Sequence, residues 1–432
     1  MKSNGPAPWA NQPGSNLCAH NAVQQGTPTH LAMKPFATTA ASRREFMRTL
    51  SLGLGATLAG TSVLGGPLAW LTETDYGPAT LDALQTGRQL GVALVGLGKY
   101  STGQLAPALQ QTRLCKLAGI VTGTPAKAAR WQQQYRLPEQ NIYDYKTFDR
   151  IADNPAIDII YIVLPVGLHA EYVERAARAG KHVICEKPMA PTAADCRRML
   201  AAMQKSGKKF SIGYRLHFEP HHREMMRLGQ QKVLGPIKSL VADNGFRFNN
   251  DTPWRVDKEL AGGGPLMDMG IYCVQGVVYT KGELPVSVTA KLAPNPDPKG
   301  LFREVEAGVS WQMQFGDGSV ADCRTSYAEN LSSRLRAETT TDWMELEPAF
   351  GYGGIAGRSS QGAMSLQNVP QQARQLDDFA DCILNDKPTR VPGEMGLRDV
   401  QLLQAIYRAA ETGRKVSTKD VVAVLDEVGS GR

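Results

Sequence analysis

Four short apolar runs alternate with amphipathic stretches between residues 90 and 213 of the chain. The first run is entirely apolar, the other three contain one or two polar residues, and each has the length of a strand that is buried on both faces of a sheet. The stretches between them have the spacing of helices that bury one face. This order predicts a doubly wound α/β domain with a parallel sheet. The runs lie at residues 90–95, 115–121, 157–164 and 181–185, and helices are expected at 103–111, 148–153 and 169–179.

A different pattern begins near residue 214. The runs 286–290 and 309–315 alternate between apolar and polar residues, and the second leads into Gly316-Asp317-Gly318, which favours a hairpin. We interpret this region as an α+β domain with a large, mostly antiparallel sheet that leaves one face open. Helices are expected at 221–228, 375–385 and 398–412, the last two closing the interface between the domains.

The first 69 residues have a third character. The segment Ser42-Arg43-Arg44-Glu45-Phe46-Met47-Arg48 precedes an uncharged, mildly apolar run from Leu50 to Ala69. An arginine pair ahead of such a run is typical of a signal for the twin-arginine translocation machinery, which exports proteins that have already folded. We therefore expect a periplasmic protein. A buried N-terminal helix or an uncleaved anchor is the alternative.

The composition excludes several classes of protein. The formal net charge is +7, but it falls to +3 without residues 1–69, which hold five Lys or Arg and one Glu. No basic cluster after residue 50 is denser than Arg197-Arg198 or Lys208-Lys209, so a nucleic-acid partner is not expected. The seven cysteines form no C-x-x-C pair, and no metal-ligand spacing occurs, so neither a disulfide scaffold nor a metal site is predicted. Export after folding favours free, buried thiols.

The first apolar run ends in a glycine-rich turn, Gly96-Leu97-Gly98-Lys99-Tyr100-Ser101. The glycines permit a tight turn and allow the backbone to approach a pyrophosphate closely. The helix that follows would point its N-terminal amides at that negative charge. Strand, glycines and helix in this order predict the dinucleotide site of a Rossmann domain.

The end of the second run indicates which dinucleotide binds. An NAD site usually has Asp or Glu here, which accepts a hydrogen bond from the ribose 2′-hydroxyl. This chain has Thr122-Gly123-Thr124, followed by Lys127 and Arg130. Hydroxyls and cations suit a 2′-phosphate, so NADP is favoured over NAD. The alternative is that Lys127 and Arg130 belong to a solvated helix face. The predicted parts are a signal region at 1–69, an N-terminal arm at 70–89, an NADP-binding Rossmann domain at 90–213, a substrate and oligomerisation domain at 214–396, and a C-terminal helix and tail at 397–432.

Two further motifs carry candidate chemistry. The run at 181–185 delivers Glu186-Lys187-Pro188 to the carboxyl edge of the sheet, where open parallel sheets bind their ligands. Lys187 is therefore expected to face the nicotinamide. Asp268 and Tyr272 follow a run of three glycines and would share one face if their segment is helical. Three histidines, His217, His221 and His222, could touch substrate, although the adjacent pair is more typical of a surface.

Together these motifs resemble the glucose–fructose oxidoreductase/inositol dehydrogenase family. The likeness runs from about residue 90 to 420, and its branch of exported glucose–fructose oxidoreductases is the most similar. That branch shares the export signal, Gly98-Lys99-Tyr100, a tyrosine at the position of Tyr272 and an arginine at that of Arg255. The matching segments are the glycine turn, Glu186-Lys187-Pro188, Gly213-Tyr214-Arg215, and Gly262-Gly263-Gly264 through Asp268 to Tyr272.

The chain departs from the family pattern at two places. Val166, in Pro165-Val166-Gly167-Leu168-His169, stands where family members have Asn. The arm before the first strand is short and holds one proline, Pro78, where the related proteins have a longer, proline-rich arm over the adenosine.

The resemblance implies roles for the site residues. Lys187 and Tyr272 are the acid–base pair, while Asp268 and Arg255 help to bind the sugar. Oxidation of a sugar hydroxyl needs a base for its proton, and a lysine ammonium beside a tyrosine favours the phenolate. The cofactor contacts implied are Gly96, Leu97, Gly98, Lys99, Tyr100, Thr122, Gly123, Lys127, Leu164, Pro165, His169, Glu186, Lys187 and Arg215.

The function expected from the resemblance is that of an exported sugar oxidoreductase with tightly bound NADP. An aldose such as glucose would be oxidised to its lactone, and a second sugar, fructose or another aldose, would be reduced in the same site by ping-pong hydride transfer. The alternatives are a sugar dehydrogenase or reductase that releases its NADP, a glycoside hydrolase that uses bound NAD, and a non-enzymatic sugar-binding protein. The open sheet face favours a homodimer or homotetramer.

Overall fold

The computed structural model describes residues 78–425, which form two sheets. The first sheet consists of β1 (Leu90–Val95), β2 (Cys115–Val121), β3 (Ile142–Tyr143), β4 (Ile159–Ile162), β5 (His182–Cys185) and β6 (Phe210–Ile212). All six strands are parallel, in the order β3-β2-β1-β4-β5-β6. Every residue of β1 is buried, as expected for a central strand with helices on both faces.

The helices of this domain lie between its strands, as the alternation of patterns predicted. They are α2 (Ala106–Leu109), α3 (Pro125–Tyr135), α4 (His169–Arg178) and α5 (Ala193–Ser206), with 3-10 helices at Glu139–Asn141, Phe148–Asp153 and Val166–Leu168. The first crossover begins with a π-helical turn, Ser101–Leu105, before α2. Before β1, the helix α1 (Pro78–Thr86) occupies much of the predicted arm. The predicted signal region and the start of the arm lie outside the described residues.

The second sheet has nine strands in the order β14-β13-β12-β11-β7-β10-β9-β8-β15. Only β7 and β10 pair in parallel; the other pairs are antiparallel. The predicted hairpin is present, because β9 and β10 pair across the turn at Gly318, whose φ is +86°. The strands are β7 (Ile237–Gly245), β8 (Ser287–Leu292), β9 (Gly308–Gln314), β10 (Val320–Ser326), β11 (Arg334–Thr339), β12 (Trp343–Leu346), β13 (Gly357–Ser359), β14 (Gly362–Ala363) and β15 (Val416–Ser417).

One face of this sheet packs against helices and the other carries charge. Every residue of α8 (Ile271–Lys281) is buried in the core beside the sheet. On the opposite face Arg336 and Arg358 pair with Glu345, whose side chain is 2% exposed. The predicted fold class is thus confirmed; assembly through the open face stays a prediction. The other elements of this part of the chain are α6 (Pro220–Gln230), α7 (Lys258–Ala261), α9 (Gln371–Leu384) and α10 (Gly393–Thr412), and 3-10 helices at Arg215–Phe218 and Pro253–Val256.

The chain returns to the first domain near its C-terminus. Leu376 and Phe379 of α9 join the core beneath β1 and β2. The Thr80 hydroxyl of α1 donates to Asp381 Oδ1 of α9 at 2.6 Å, which fixes the arm helix to the same surface. None of the helices within residues 78–425 is long and apolar enough to cross a membrane.

Candidate active site

The glycine turn after β1 has the shape that a dinucleotide needs. Gly96 has φ +92°, and a Cβ there would lie 2.5 Å from the carbonyl oxygen of Val163. Around Gly98 a Cβ would meet no atom within 4 Å, so the backbone faces open space. The first glycine is therefore required by the turn, and the second leaves room for a ligand to approach the backbone.

The residues after the glycines point in different directions. Leu97 is buried in the core of the first domain. The Ser101 hydroxyl donates to the Gly96 carbonyl at 2.5 Å and closes the turn. Lys99 and Tyr100 instead reach the second domain, where Lys99 Nζ lies 2.7 Å from Asp251 Oδ2 and the ring of Tyr100 lies 5.7 Å from that of Tyr352.

The end of β2 carries the residues expected at the 2′-phosphate. Thr122 is buried, and its hydroxyl accepts a hydrogen bond from the Thr124 amide at 3.3 Å. A Cβ on Gly123 would lie 3.1 Å from the Tyr145 ring. Helix α3 begins at Pro125, three residues after Thr122, and carries Lys127 and the exposed Arg130 one turn apart. Hydroxyls and cations within one short segment suit an adenosine 2′-phosphate.

His169 is a link between two backbone segments. Its Nε2 lies 2.8 Å from the carbonyl oxygen of Leu164, and its Nδ1 lies 3.0 Å from that of Pro188. The ring is fully buried, and burial lowers the pKa of His169. Since both ring nitrogens face backbone, this side chain holds the turn at Leu164-Pro165 against the segment that carries Lys187.

Lys187 follows β5 at the carboxyl edge of the parallel sheet. Its Nζ donates to the backbone carbonyl of Asp268 at 2.6 Å and lies 3.2 Å from Asp268 Oδ1. The same Nζ is 4.6 Å from the centroid of the Tyr272 ring. Glu186 accepts a hydrogen bond from the Tyr161 hydroxyl at 2.7 Å, and burial raises its pKa. Lys187 therefore contacts both of the other predicted catalytic residues, Asp268 and Tyr272.

Asp268 is the centre of a compact charge cluster. Its Oδ2 accepts a hydrogen bond from the Tyr327 hydroxyl at 2.7 Å and lies 3.2 Å from Arg255 Nη1, while Lys187 approaches Oδ1. Burial opposes ionisation of this carboxyl, but Arg255 and Lys187, with the two hydrogen bonds, outweigh it and lower the pKa of Asp268 to about 2. The carboxylate is only 17% exposed, so its charge holds both cations in place.

The backbone around Asp268 explains the three glycines before it. Glu306 accepts hydrogen bonds from the Gly264 and Leu266 amides at 2.9 and 3.0 Å, and so caps the π-helical turn Leu266–Gly270. A Cβ on Gly264 would lie 2.4 Å from the Glu306 carbonyl oxygen. π-Helical turns inside helices are frequent at functional sites. Here the turn leads into α8 and brings Asp268 and Tyr272 to the same lysine.

Tyr272 lies between two cations. Lys187 approaches its ring on one side, and the Arg215 guanidinium carbon lies 5.1 Å from the ring centroid. Arg215 is 2% exposed and donates to the carbonyls of Phe350 and Gly351 at 2.7 and 2.8 Å. The resemblance assigned Arg215 to the cofactor. The structure places it behind Tyr272, where it also fastens a loop of the second domain.

Two aromatic residues of the site escaped the sequence analysis. Tyr327 follows β10 and packs against Phe246 and Phe248, and only its position just after an alternating strand could have indicated it. Tyr352 lies in the glycine-rich segment Gly351-Tyr352-Gly353-Gly354, whose composition is a visible but weak signal.

The expectation that the adjacent histidines lie on the surface is wrong. His217, His221 and His222 are all buried: His217 lies in the 3-10 helix Arg215–Phe218, and the adjacent pair lies in the first turn of α6. His221 Nδ1 lies 2.8 Å from Glu219, and His222 bonds to the Tyr279 hydroxyl and to the Ala349 carbonyl. Burial lowers the pKa of His222 to about 4. The expected surface pair is therefore a buried, hydrogen-bonded pair. The six cysteines among the described residues are all free and buried.

Comparison with known proteins identifies the family. Residues 90–214 match the model described as "Oxidoreductase family, NAD-binding Rossmann fold", residues 222–342 match a GFO/IDH/MocA C-terminal domain, and residues 365–418 match the C-terminal alpha/beta domain of the same oxidoreductase family. The structure is also similar to that of an aldose-aldose oxidoreductase from Caulobacter crescentus, with 42% identity and a TM-score of 0.74, covering 76% of this chain and all of that one. The chain belongs to the GFO/IDH/MocA family.

Two other similar proteins extend the comparison. A D-xylose 1-dehydrogenase [NADP(+)] from Haloarcula marismortui is 29% identical over 76% of this chain and 92% of its own length. A 3-ketoreductase from Actinomadura kijaniata, solved in complex with NADP, has a TM-score of 0.66 at 22% identity, covers 74% of this chain and 98% of its own, and shows a shared fold. The predictions of an oxidoreductase and of an NAD(P)-binding Rossmann domain are therefore confirmed.

Proposed function

We propose that this protein is an exported sugar oxidoreductase that keeps NADP bound between half-reactions. It oxidises an aldose such as glucose at C1 to the lactone and then reduces a second sugar, fructose or another aldose, in the same site. The observation that carries the proposal is the buried cluster of Lys187, Asp268 and Arg255 beside Tyr272, at the carboxyl edge of the sheet that bears the glycine turn. The similar aldose-aldose oxidoreductase supports an aldose as the second substrate.

The residues of this chain supply proton transfer and orientation. A nicotinamide dinucleotide held by the glycine turn would supply the acceptor and donor of hydride for the two sugars. Tyr272 accepts the proton of the C1 hydroxyl and later gives a proton to the carbonyl oxygen of the acceptor. Lys187 brings a positive charge to the face of the Tyr272 ring, where it stabilises negative charge on the phenol.

Asp268 and Arg255 orient the substrate. The carboxylate fixes the Lys187 ammonium, and Arg255, with a side chain 30% exposed, presents its remaining donors to sugar hydroxyls. Because both cations share one buried carboxylate, a change at Asp268 displaces the acid–base group and the binding group together. Thr122, Lys127 and Arg130 support NADP as the dinucleotide.

The decisive experiment uses purified protein without added nucleotide. Incubation with glucose and fructose, or with one aldose alone, is followed by chromatography for aldonic acid and for the alditol. Equal amounts of the two products are expected, because each oxidation must be matched by one reduction. Absence of both products with every sugar pair would exclude the proposed two-sugar reaction.

A second candidate is a sugar dehydrogenase that releases its cofactor. The similarity to the NADP-dependent D-xylose 1-dehydrogenase favours it. This enzyme would be inactive without added NADP and would release NADPH into solution with xylose or glucose. The two candidates are separated by the absorbance of NADPH released into solution at each sugar concentration. Only the dehydrogenase should release it.

Export by the twin-arginine pathway belongs to the same proposal. The arginine pair Arg43-Arg44 ahead of an uncharged run supports it. Replacing both arginines with lysine should leave the protein in the cytoplasmic fraction, while the unchanged chain appears in the periplasm.

A further inference from the structure

Two loops of the second domain converge on consecutive residues of the glycine turn. Asp251, in the loop after β7, reaches Lys99, and Tyr352, in the loop between β12 and β13, packs on Tyr100. Lys99 and Tyr100 directly follow Gly98, where the backbone faces open space. Both contacts therefore lie at the entrance of the dinucleotide site, and both join the first domain to the second.

Tyr352 packs over both the glycine turn and Arg215. Its ring centroid is 4.4 Å from the guanidinium carbon of Arg215 and 5.7 Å from the ring of Tyr100. The residue is nevertheless 52% exposed, so one side of it packs on the turn while the other faces solvent. An aromatic ring in this arrangement shields the glycine turn from solvent, although the ring is not part of the hydrophobic core.

Arg215 fixes the position of the loop that bears Tyr352. It holds the backbone of the loop through the carbonyls of Phe350 and Gly351, and its head group also bonds to Gln371. Because Arg215 is buried, this anchor does not move with the loop surface. The glycines at 351, 353 and 354 leave the chain around Tyr352 free to change conformation, and Gly354 already has a φ of +67°.

The contact on the other side is electrostatic. Lys99 Nζ lies 2.7 Å from Asp251 Oδ2 and donates to the Asp251 carbonyl at 3.3 Å. Both side chains are more than half exposed, at 70% and 51%, so solvent weakens this ion pair. The loop that bears Asp251 continues to Arg255, which pairs with Asp268. Opening this contact would therefore also disturb the substrate side.

We propose that Asp251 and Tyr352 complete the dinucleotide site from the second domain, as a clasp on Lys99 and Tyr100 that must open before NADP(H) leaves. This inference rests on the proposed function in which the cofactor stays bound. It gives a physical route to retention in a chain whose N-terminal arm is short and holds the single proline Pro78. Tyr352 is the stronger half of the clasp, because its ring contacts both Tyr100 and Arg215 and does not depend on an exposed ion pair.

The test is the rate of NADPH release. Full-length protein is loaded with NADPH, and bound-cofactor fluorescence is followed after mixing with a large excess of NADP⁺. Tyr352→Ala should release NADPH about tenfold faster, since it loses one aromatic contact and one cation–π contact. Tyr352→Phe should stay within roughly twofold of the unchanged protein, because the ring remains. Asp251→Asn should accelerate release by only about two- to threefold, as expected for an exposed pair.

The control is Tyr135→Ala, whose half-buried ring packs on Trp131 at the C-terminal end of α3; it should leave the release rate unchanged. Circular dichroism melting shows that each variant is folded. Equal release rates for Tyr352→Ala and the unchanged protein would overturn the inference. Loss of bound nucleotide during purification of the unchanged protein, with Tyr352→Ala still releasing tenfold faster, would remove the two-sugar mechanism but support the clasp.

Discussion

The two halves of the active-site crevice are built in different ways. The cofactor half consists of two short segments, residues 96–100 and 122–127. Each follows the end of a parallel strand. The substrate half is assembled from Lys187, Arg255, Asp268 and Tyr327, which come from four separate segments. One half depends on backbone shape, and the other on a buried arrangement of charges.

This difference predicts how each half responds to substitution. On the cofactor side, Gly123 and Arg130 are exposed, so side chains there can change without uncovering a buried charge. On the substrate side, Asp268 balances two cations that are themselves mostly buried. Substitutions that remove a charge from the Asp268 cluster should therefore cost both activity and stability, while those at exposed positions of the cofactor half should alter cofactor choice alone.

The largest effect is expected at the acid–base pair. Tyr272→Phe and Lys187→Met should each lower kcat about a thousandfold, because general acid–base catalysis is lost. The measurement is a single-turnover assay with protein that carries one NADP. Tyr272→Phe keeps the ring between Lys187 and Arg215, so its melting temperature should stay close to that of the unchanged protein.

A matched control accompanies these variants. Lys205→Met removes an exposed lysine from α5 and should change neither kcat nor stability. Normal turnover by Tyr272→Phe would show that another group handles the proton and would remove the central assignment of the substrate half.

The next effect concerns stability in the substrate half. Asp268→Asn should lower the free energy of unfolding by about 3 kcal/mol, because Lys187 and Arg255 lose their shared counter-charge. Chemical unfolding followed by fluorescence measures this change. Asp322→Asn, an exposed carboxylate on β10, is the control and should cost much less. A small loss of unfolding free energy for Asp268→Asn would mean that the cluster is more solvated than the exposed fractions of its side chains indicate.

The pH dependence of Asp268 gives a second measurement of the same cluster. Its pKa in the folded protein is lowered to about 2 from the usual value near 3.8. Its stabilising contribution of roughly 2 kcal/mol is therefore complete above about pH 4 and is lost as the pH falls towards 2. Asp268→Asn should lack this part of the acid-induced loss of stability, so the two unfolding curves should converge at low pH.

The cofactor half can be tested by inverting its charge preference. Thr122→Glu places a carboxylate where an NAD site has one, so it should repel a 2′-phosphate and accept from a ribose hydroxyl. The ratio of the dissociation constants for NADPH and NADH should shift about a hundredfold towards NADH. Fluorescence titration with both nucleotides measures the ratio. A ratio unchanged from that of the starting protein would place the 2′-phosphate elsewhere.

The same contrast explains what could be predicted from the sequence. The predicted parallel strands, the glycine turn and the Thr122 segment are local patterns, formed by residues that are neighbours in the chain. In the structure each of them lies at the residues that predicted it. Lys187, Asp268 and Tyr272 were found through motifs and resemblance, although the segment starts as a π-helical turn rather than a regular helix. Tyr327 and Tyr352 were missed because their roles depend on contacts across 59 and 137 positions, with Asp268 and Arg215.

Tyr327 provides the smallest and most selective test of the substrate half. Its hydroxyl donates to Asp268 Oδ2 at 2.7 Å, so we expect Tyr327 to act through Asp268, as a positioning residue. Tyr327→Phe keeps the stacking on Phe248 and removes only that hydrogen bond. A hydrogen bond to a charged group is worth about 1.5–3 kcal/mol, so kcat/KM should fall roughly tenfold or somewhat more. The pKa of Asp268 should rise as well, which would move the acid limb of the stability curve to higher pH. Tyr172→Phe on α4, whose ring packs on Phe148 and Tyr145 in the first domain, is the matched control for loss of a tyrosine hydroxyl. A fall in activity without movement of the acid limb would mean that Tyr327 contacts the substrate directly rather than acting through Asp268.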